Sequence, residues 1–259
     1  TRCPQDIDVT GIMDALRHES RRRNIKPAVP EIPALNQLFL GNLKLLGRIH
    51  ELGLMALYNF KLGQPMKDLS LGLKMLKRRR FRFLPKFARP PKRVAPLEKG
   101  NDAIAYFPGC ALHGSSAEYD ATARAVAGQL DLNLVEPPGW VCCGSTPAHA
   151  TDSRLATAQP MKTIATVERM GISSLTSPCS SCFARLKASE RTVRDDEATA
   201  RTVESDTGHA YRGTVTVSHL LDTLLERAGL GKIRAHVKKP LSGLKVACYY
   251  GCLITRPAK

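Results

Sequence analysis

Five of the eight cysteines fall in one ordered pattern. Cys110 is followed after 31 residues by the adjacent pair Cys142 and Cys143, and after 35 more by Cys179 and Cys182 in a C-x-x-C. Intervals of that length hold a helix and a strand, so the fold must return the chain to one place three times. Adjacent cysteines sharing a site with a C-x-x-C make a poor disulfide framework and a good cage of thiolates. Five thiols exceed the four that a zinc ion or a cubane cluster uses.

The bulk composition frames this pattern. A chain of 259 residues with 43% hydrophobic content has material for one or two buried cores. It begins at Thr1 and shows no secretory leader, and it stops soon after a new cysteine motif opens, so we read it as a piece of a longer protein. Eight cysteines without secretory features point to a reducing compartment, the cytoplasm by default. The apolar stretch from Leu35 to Phe60 is interrupted by Lys44, Arg48, His50 and Glu51, which makes it an amphipathic packing segment rather than a membrane span. The net charge of +16 is uneven: Lys74 to Arg93 carries ten Lys or Arg and no acid. That run reads as a solvated linker touching a partner or a membrane surface, in preference to a nucleic-acid strip.

Composition divides the chain. Residues 1–73 read as helical, with apolar residues at steps of three and four from Leu35 to Leu62. Residues 74–101 form the basic, Pro-containing linker, closed by the loop signal Glu98-Lys99-Gly100-Asn101. From Asp102 short apolar runs alternate with helical ones, the α/β signature. Strands are expected at Ala103–Phe107, Leu132–Val135, Ile172–Thr176 and from Leu244 to Ala247. Helices are expected at Ser116–Leu130, Asp152–Met170, Ser180–Thr192 and His219–Ala228. Each cysteine of the pattern then follows a strand, and sites in open α/β sheets form at the carboxyl ends of strands. Residues 102–243 make this unit; residues 244–259 begin what reads as a second copy, since Cys248 to Pro257 echoes Tyr106 to His113.

Gly144, beside the cysteine pair, lets backbone approach and aim N–H groups at sulfur. Cys179-Ser180-Ser181-Cys182 taken alone fits a thioredoxin-type redox pair, half a zinc site or cluster ligands. Cys3-Pro4 matches the ending of the ferredoxin run C-x2-C-x2-C-x3-C-P. His113 reads as a neighbour of the cage and Trp140, the single Trp, as a cover over the paired-cysteine loop. There is no P-loop, G-x-G-x-x-G or Ser-His-Asp spacing, so nucleotide and flavin have no signature here.

The motifs PGC at Cys110, CCG at Cys142 to Gly144 and SPCSSC at Ser177 to Cys182 resemble the cysteine-rich CCG domain found in the B-type subunits of the heterodisulfide reductase family. The first segment, with CPQDIDVTGIMDALR, GRIHELGLMALYNFKLG and a basic stretch, resembles the C-terminal half of the C-type subunits of the same family. The resemblance implies an all-α ferredoxin-like tail followed by a Rossmann-like α/β CCG domain, the two joined in one chain. It implies a noncubane [4Fe-4S] cluster on Cys110, Cys142, Cys143, Cys179 and Cys182. Cys3 becomes the last ligand of a cubane [4Fe-4S] cluster and Cys252 the first ligand of a second CCG cluster, while Cys248 has no place in the pattern. It further implies an electron-transfer component of an oxidoreductase, with a disulfide or thiol substrate, a flavoprotein or other electron-transfer partner, and a membrane-surface or quinone-linked partner. Iron-sulfur subunits of glycolate, lactate, glycerol-3-phosphate or succinate-quinone oxidoreductases are the runner-up, and a zinc-dependent basic nucleic-acid module is a distant third.

Overall fold

A computed structural model describes residues 9–77, 83–91, 95–96, 102–247 and 251–255. Cys3, Cys248, the closing loop at 98–101 and parts of the basic run lie outside the described residues. Four helices come first: α1 (Val9–Arg22), α2 (Glu31–Leu46), α3 (Glu51–Lys61) and α4 (Leu69–Lys77). The apolar periodicity from Leu35 to Leu62 does not run as one helix. Gly47 adopts φ 74 and its N–H returns to the Leu43 carbonyl, ending α2 in a left-handed cap. The imidazole of His50 then accepts from Gly53 N–H to start α3.

The α/β part runs β1 (Ile104–Tyr106), α5 (Gly109–Leu112), α6 (Ala117–Gln129), β2 (Leu134–Val135), α7 (Ser145–His149), α8 (Ser153–Arg169) and β3 (Ser174–Ser177). It continues with α9 (Ser180–Asp195), α10 (Glu197–Thr207), β4 (Thr216–His219) and α11 (Leu220–Ala235), and α12 (Cys252–Thr255) comes last. The four strands form one parallel sheet in the order β2-β1-β3-β4. Chain order reverses on either side of β1, the switch point at which doubly wound sheets open a crevice at the strand ends. The central strands are buried almost throughout, as a sheet covered on both faces requires.

The core gathers Ala105, Phe107, Met161, Ile164, Leu175 and Leu186 between sheet and helices. α8 contains Pro160, whose ring nitrogen cannot bond the Ala156 carbonyl one turn back. The hydroxyl of buried Ser189 on α9 donates to that carbonyl at 3.3 Å, so the proline costs no orphaned acceptor and α8 is locked to α9.

One expected element is absent among the described residues. Leu244 to Ala247 is not a strand, and Leu244 and Val246 are exposed. Apolar alternation makes a strand only when a neighbour completes its hydrogen bonds, and β4 pairs on its described side with β3 alone. Strand β4 and helix α10 fall where the sequence pattern predicts no element, and both are present.

Candidate metal centre

Because the sheet is parallel, β1, β2 and β3 end on the same edge, and each cysteine motif begins just beyond. Cys110 sits in α5, after the turn Pro108-Gly109 that follows β1. Gly109 has φ 76, and a Cβ there would lie 2.8 Å from the Cys182 sulfur. Both facts require glycine. Cys142 and Cys143 occupy the loop between β2 and α7, where Gly144 has φ 81 and a Cβ would meet Ala148 Cβ at 2.7 Å. Cys179 caps α9, and Cys182 lies in its first turn.

The five sulfurs form a connected row. Cys142 contacts both Cys110 and Cys143, and Cys182 contacts both Cys143 and Cys179; the Cys143 and Cys182 sulfurs are 3.4 Å apart. All five thiols are free, with Cys142, Cys143 and Cys182 buried. Hydrogen bonds with Cys110 and Cys143, together with burial, push the Cys142 thiol well above its usual range. Cys182 is raised in the same way by Cys143 and Cys179. Cys143 is held well below the usual range by hydrogen bonds from Cys142 and Cys182, which outweigh burial, with help from the Ser145 N–H and the Arg185 charge. Cys179 is lowered to about 6, first by the Cys182 side chain and further by the N–H groups of Cys182 and Ser181 at the start of α9.

Burial sets a limit on this row. Several adjacent thiolates repel one another in a low dielectric, so full deprotonation requires positive charge among them. Among the described residues no three Cys, His, Asp or Glu side chains converge as ligands of a single ion would. Five sulfurs joined by successive contacts exceed the four donors of one tetrahedral zinc, and their number suits a multinuclear group.

The first helices complete the wall. The N–H of Ile49 approaches the Cys110 sulfur at 3.4 Å, and the Gly47 carbonyl accepts from Cys142 N–H at 2.8 Å. Leu40 and Leu43 of α2 pack with Cys142 and Ala148. Arg48 places its guanidinium 3.6 Å from the Trp140 ring centroid and donates from Nε to the Trp140 carbonyl at 2.9 Å. Trp140 is fully buried, edge-on to Phe107 and His113, and its indole N–H donates to Glu136. His113 lies 3.2 Å from Glu136 and packs edge-on against Trp140. Burial pushes the Glu136 carboxyl up, but hydrogen bonds from His113, Trp140 and Arg124 prevail and hold it at about 2. His219, at the end of β4, accepts from Leu221 N–H through Nδ1 and donates from Nε2 to the Pro178 carbonyl at 3.1 Å, fixing the approach to Cys179. A small cavity of about 40 Å³ reaches Cys110 between Arg48, His50, Lys86 and His113.

Sequence spacing identified the five cysteines, and the structure gathers them. It had no signal for Ile49, Gly47 or Arg48, because their role depends on α2 stopping over a loop almost a hundred residues away. Cys252 opens α12, which packs on α9, the helix that carries Cys182.

Fold and thiol row together define a cysteine-rich α/β domain with its sulfurs at the carboxyl edge of a parallel sheet. Residues 104–187 match the cysteine-rich CCG domain family. Over 157 residues the chain is 34% identical to the 8-methylmenaquinol:fumarate reductase membrane anchor subunit of Wolinella succinogenes, covering 60% of this chain and 54% of that protein. It is 27% identical over 160 residues to the B-type subunit of the ferredoxin/F420H2-dependent CoB-CoM heterodisulfide reductase of Methanosarcina acetivorans, covering 60% and 53%. A protein of Archaeoglobus profundus, described as like the B-type subunit of heterodisulfide reductase, matches at 25% over 159 residues, 59% and 52% of the two chains. The chain spans about half the length of these relatives. Residues 104–187 thus match the CCG family, in a chain similar to the B-type subunits of heterodisulfide reductases. No helix among the described residues is long and apolar enough to cross a membrane.

Proposed function

We propose that this protein is an iron-sulfur electron-transfer subunit of a heterodisulfide reductase-like oxidoreductase, and that Cys110, Cys142, Cys143, Cys179 and Cys182 hold a noncubane [4Fe-4S] cluster. The observation that carries the proposal is the continuous row of five thiols, three of them buried, at one sheet edge. Such a cluster, when bound, accepts and donates single electrons next to a disulfide or thiol substrate.

The protein's own residues have definite tasks in this reading. The Ser145 N–H helps to hold Cys143 in its charged form, and the Ile49 N–H donates to the Cys110 sulfur. Leu40, Leu43 and Trp140 keep water from the paired cysteines. The cavity beside Cys110 is the substrate approach; Arg48, His50 and Lys86 line it with one carboxylate, Glu51, and this basic excess suits an anionic thiol compound. In the same proposal Cys3 ligates a cubane cluster within a ferredoxin-like segment 1–73, residues 74–101 link it to the CCG domain 102–243, and Cys252 opens a second CCG motif in 244–259. Electrons arrive from a flavoprotein or another electron-transfer protein.

Cys143→Ser tests the assignment. Anaerobically reconstituted protein carrying it should lose the cluster's EPR signal or bind visibly less iron; an unchanged signal and iron content would rule the ligand set out.

A second reading draws on the similarity to the fumarate reductase membrane anchor subunit. Here the same thiol centre serves a quinone-linked dicarboxylate oxidoreductase, and the membrane is reached through partner proteins. Assaying the assembled complex separates the two readings: thiol-disulfide turnover supports the first, and quinol-dependent turnover without disulfide reduction supports the second.

A further inference from the structure

A second cleft, of about 360 Å³, lies between the end of α2, residues 88–90, α8 and α10, and meets the loop of the paired cysteines at Val141. Among the described residues four cations line it, Lys44, Arg89, Lys162 and Arg169, and one carboxylate, Asp206, whose two oxygens accept from Arg154 at 2.9 and 3.4 Å. Among the described residues none of the four cations has a carboxylate partner. Lys162 donates to the amide oxygen of buried Gln159 at 3.1 Å. Arg169 donates from one terminal nitrogen to Thr166 at 3.1 Å, while its Nε is fully buried with no hydrogen-bond partner.

A concave wall of like charges concentrates the local field, and an incoming oxyanion relieves their mutual repulsion. We propose that this cleft binds a small multivalent oxyanion, with Arg169 and Lys162 gripping it from α8 and Lys44 and Arg89 closing over it. Guanidinium and ammonium groups arranged around one volume suit paired phosphate or carboxylate groups, and arginine adds a two-pronged contact. The site needs no metal, so it stands or falls separately from the thiol centre. The Gly47 carbonyl accepts from the Cys142 N–H and Val141 precedes Cys142, so the cleft adjoins the segment that carries the paired cysteines.

Titration calorimetry of the full chain with sodium pyrophosphate, and in parallel with citrate, tests the site. Saturable one-to-one binding of either probe is expected, and the tighter arm tells phosphate from carboxylate. Lys44→Gln with Arg89→Gln changes two exposed side chains that do not support the fold, and should weaken that binding about tenfold. Lys162→Gln should weaken it by a similar factor, and Arg169→Lys by less than Arg169→Gln. No saturable binding of either probe, or binding that the exposed pair and Lys162→Gln both leave unchanged, overturns the proposal.

Discussion

At the scale of single residues, the tightest constraint beside the thiols is a glycine. Gly109 holds a positive φ and sits where any Cβ would press on the Cys182 sulfur. Gly109→Ala is therefore expected to cost roughly 1–2 kcal/mol in backbone strain alone. It should also displace Cys182, so that iron loading falls alongside the thermal midpoint. A variant that melts lower yet loads iron normally would show that the close approach is structural only. The five cysteines were legible because their spacing is a property of the sequence itself. Ile49 was not legible: an ordinary isoleucine gains its role only because its amide faces Cys110.

At the scale of elements, the α/β alternation and most of its helices could be read from apolar periodicity. The exceptions have physical causes. β4 is polar at Thr216, Ser218 and His219, so its burial comes from position at the sheet edge rather than from pattern. α10 has a single buried residue, Val203, and is defined by its ends, with Asp196 accepting from Ala198 N–H and Gly208 closing it in the left-handed region. The loop between α10 and β4 is tied by Glu168 at the end of α8. That carboxylate accepts from the N–H groups of Arg212 and Thr214, from the Thr214 hydroxyl and from His209. Burial alone would raise its pKa, but these donors hold it below the usual carboxylate range. A depressed carboxyl stabilises the fold fully above its unfolded value, about 4.3, and loses that contribution as pH falls through its folded value. Glu168→Gln should cost about 2 kcal/mol at neutral pH. It should also flatten the acid limb of a stability-pH curve measured by chemical denaturation below pH 5; a parallel downward shift with an unchanged acid limb would contradict the charge argument.

At the scale of the whole molecule, the first helices form one wall of the thiol site. Leu43 is almost fully buried against Cys142 and Ala148. Leu43→Ala should cost about 2–4 kcal/mol and speed bleaching of the reconstituted protein in air. Unchanged bleaching would show that α2 does not shield the sulfurs. Apolar side chains are exposed along α4, at Leu69, Leu71 and Leu73 beside Lys74 and Lys77, and Phe87 is exposed further along the chain. Apolar surface on this scale marks contact with other molecules. Replacing Leu71, Leu73 and Phe87 together by Ser should lower binding of a hydrophobic dye without changing metal content, and unaltered dye binding would count against these side chains as an apolar contact surface. The central claim is tested most directly by measuring iron, acid-labile sulfide and zinc per chain after anaerobic reconstitution. The thiol row predicts about four iron and about four sulfide for the centre on the five cysteines, with no stoichiometric zinc. One zinc per chain with no iron would contradict it.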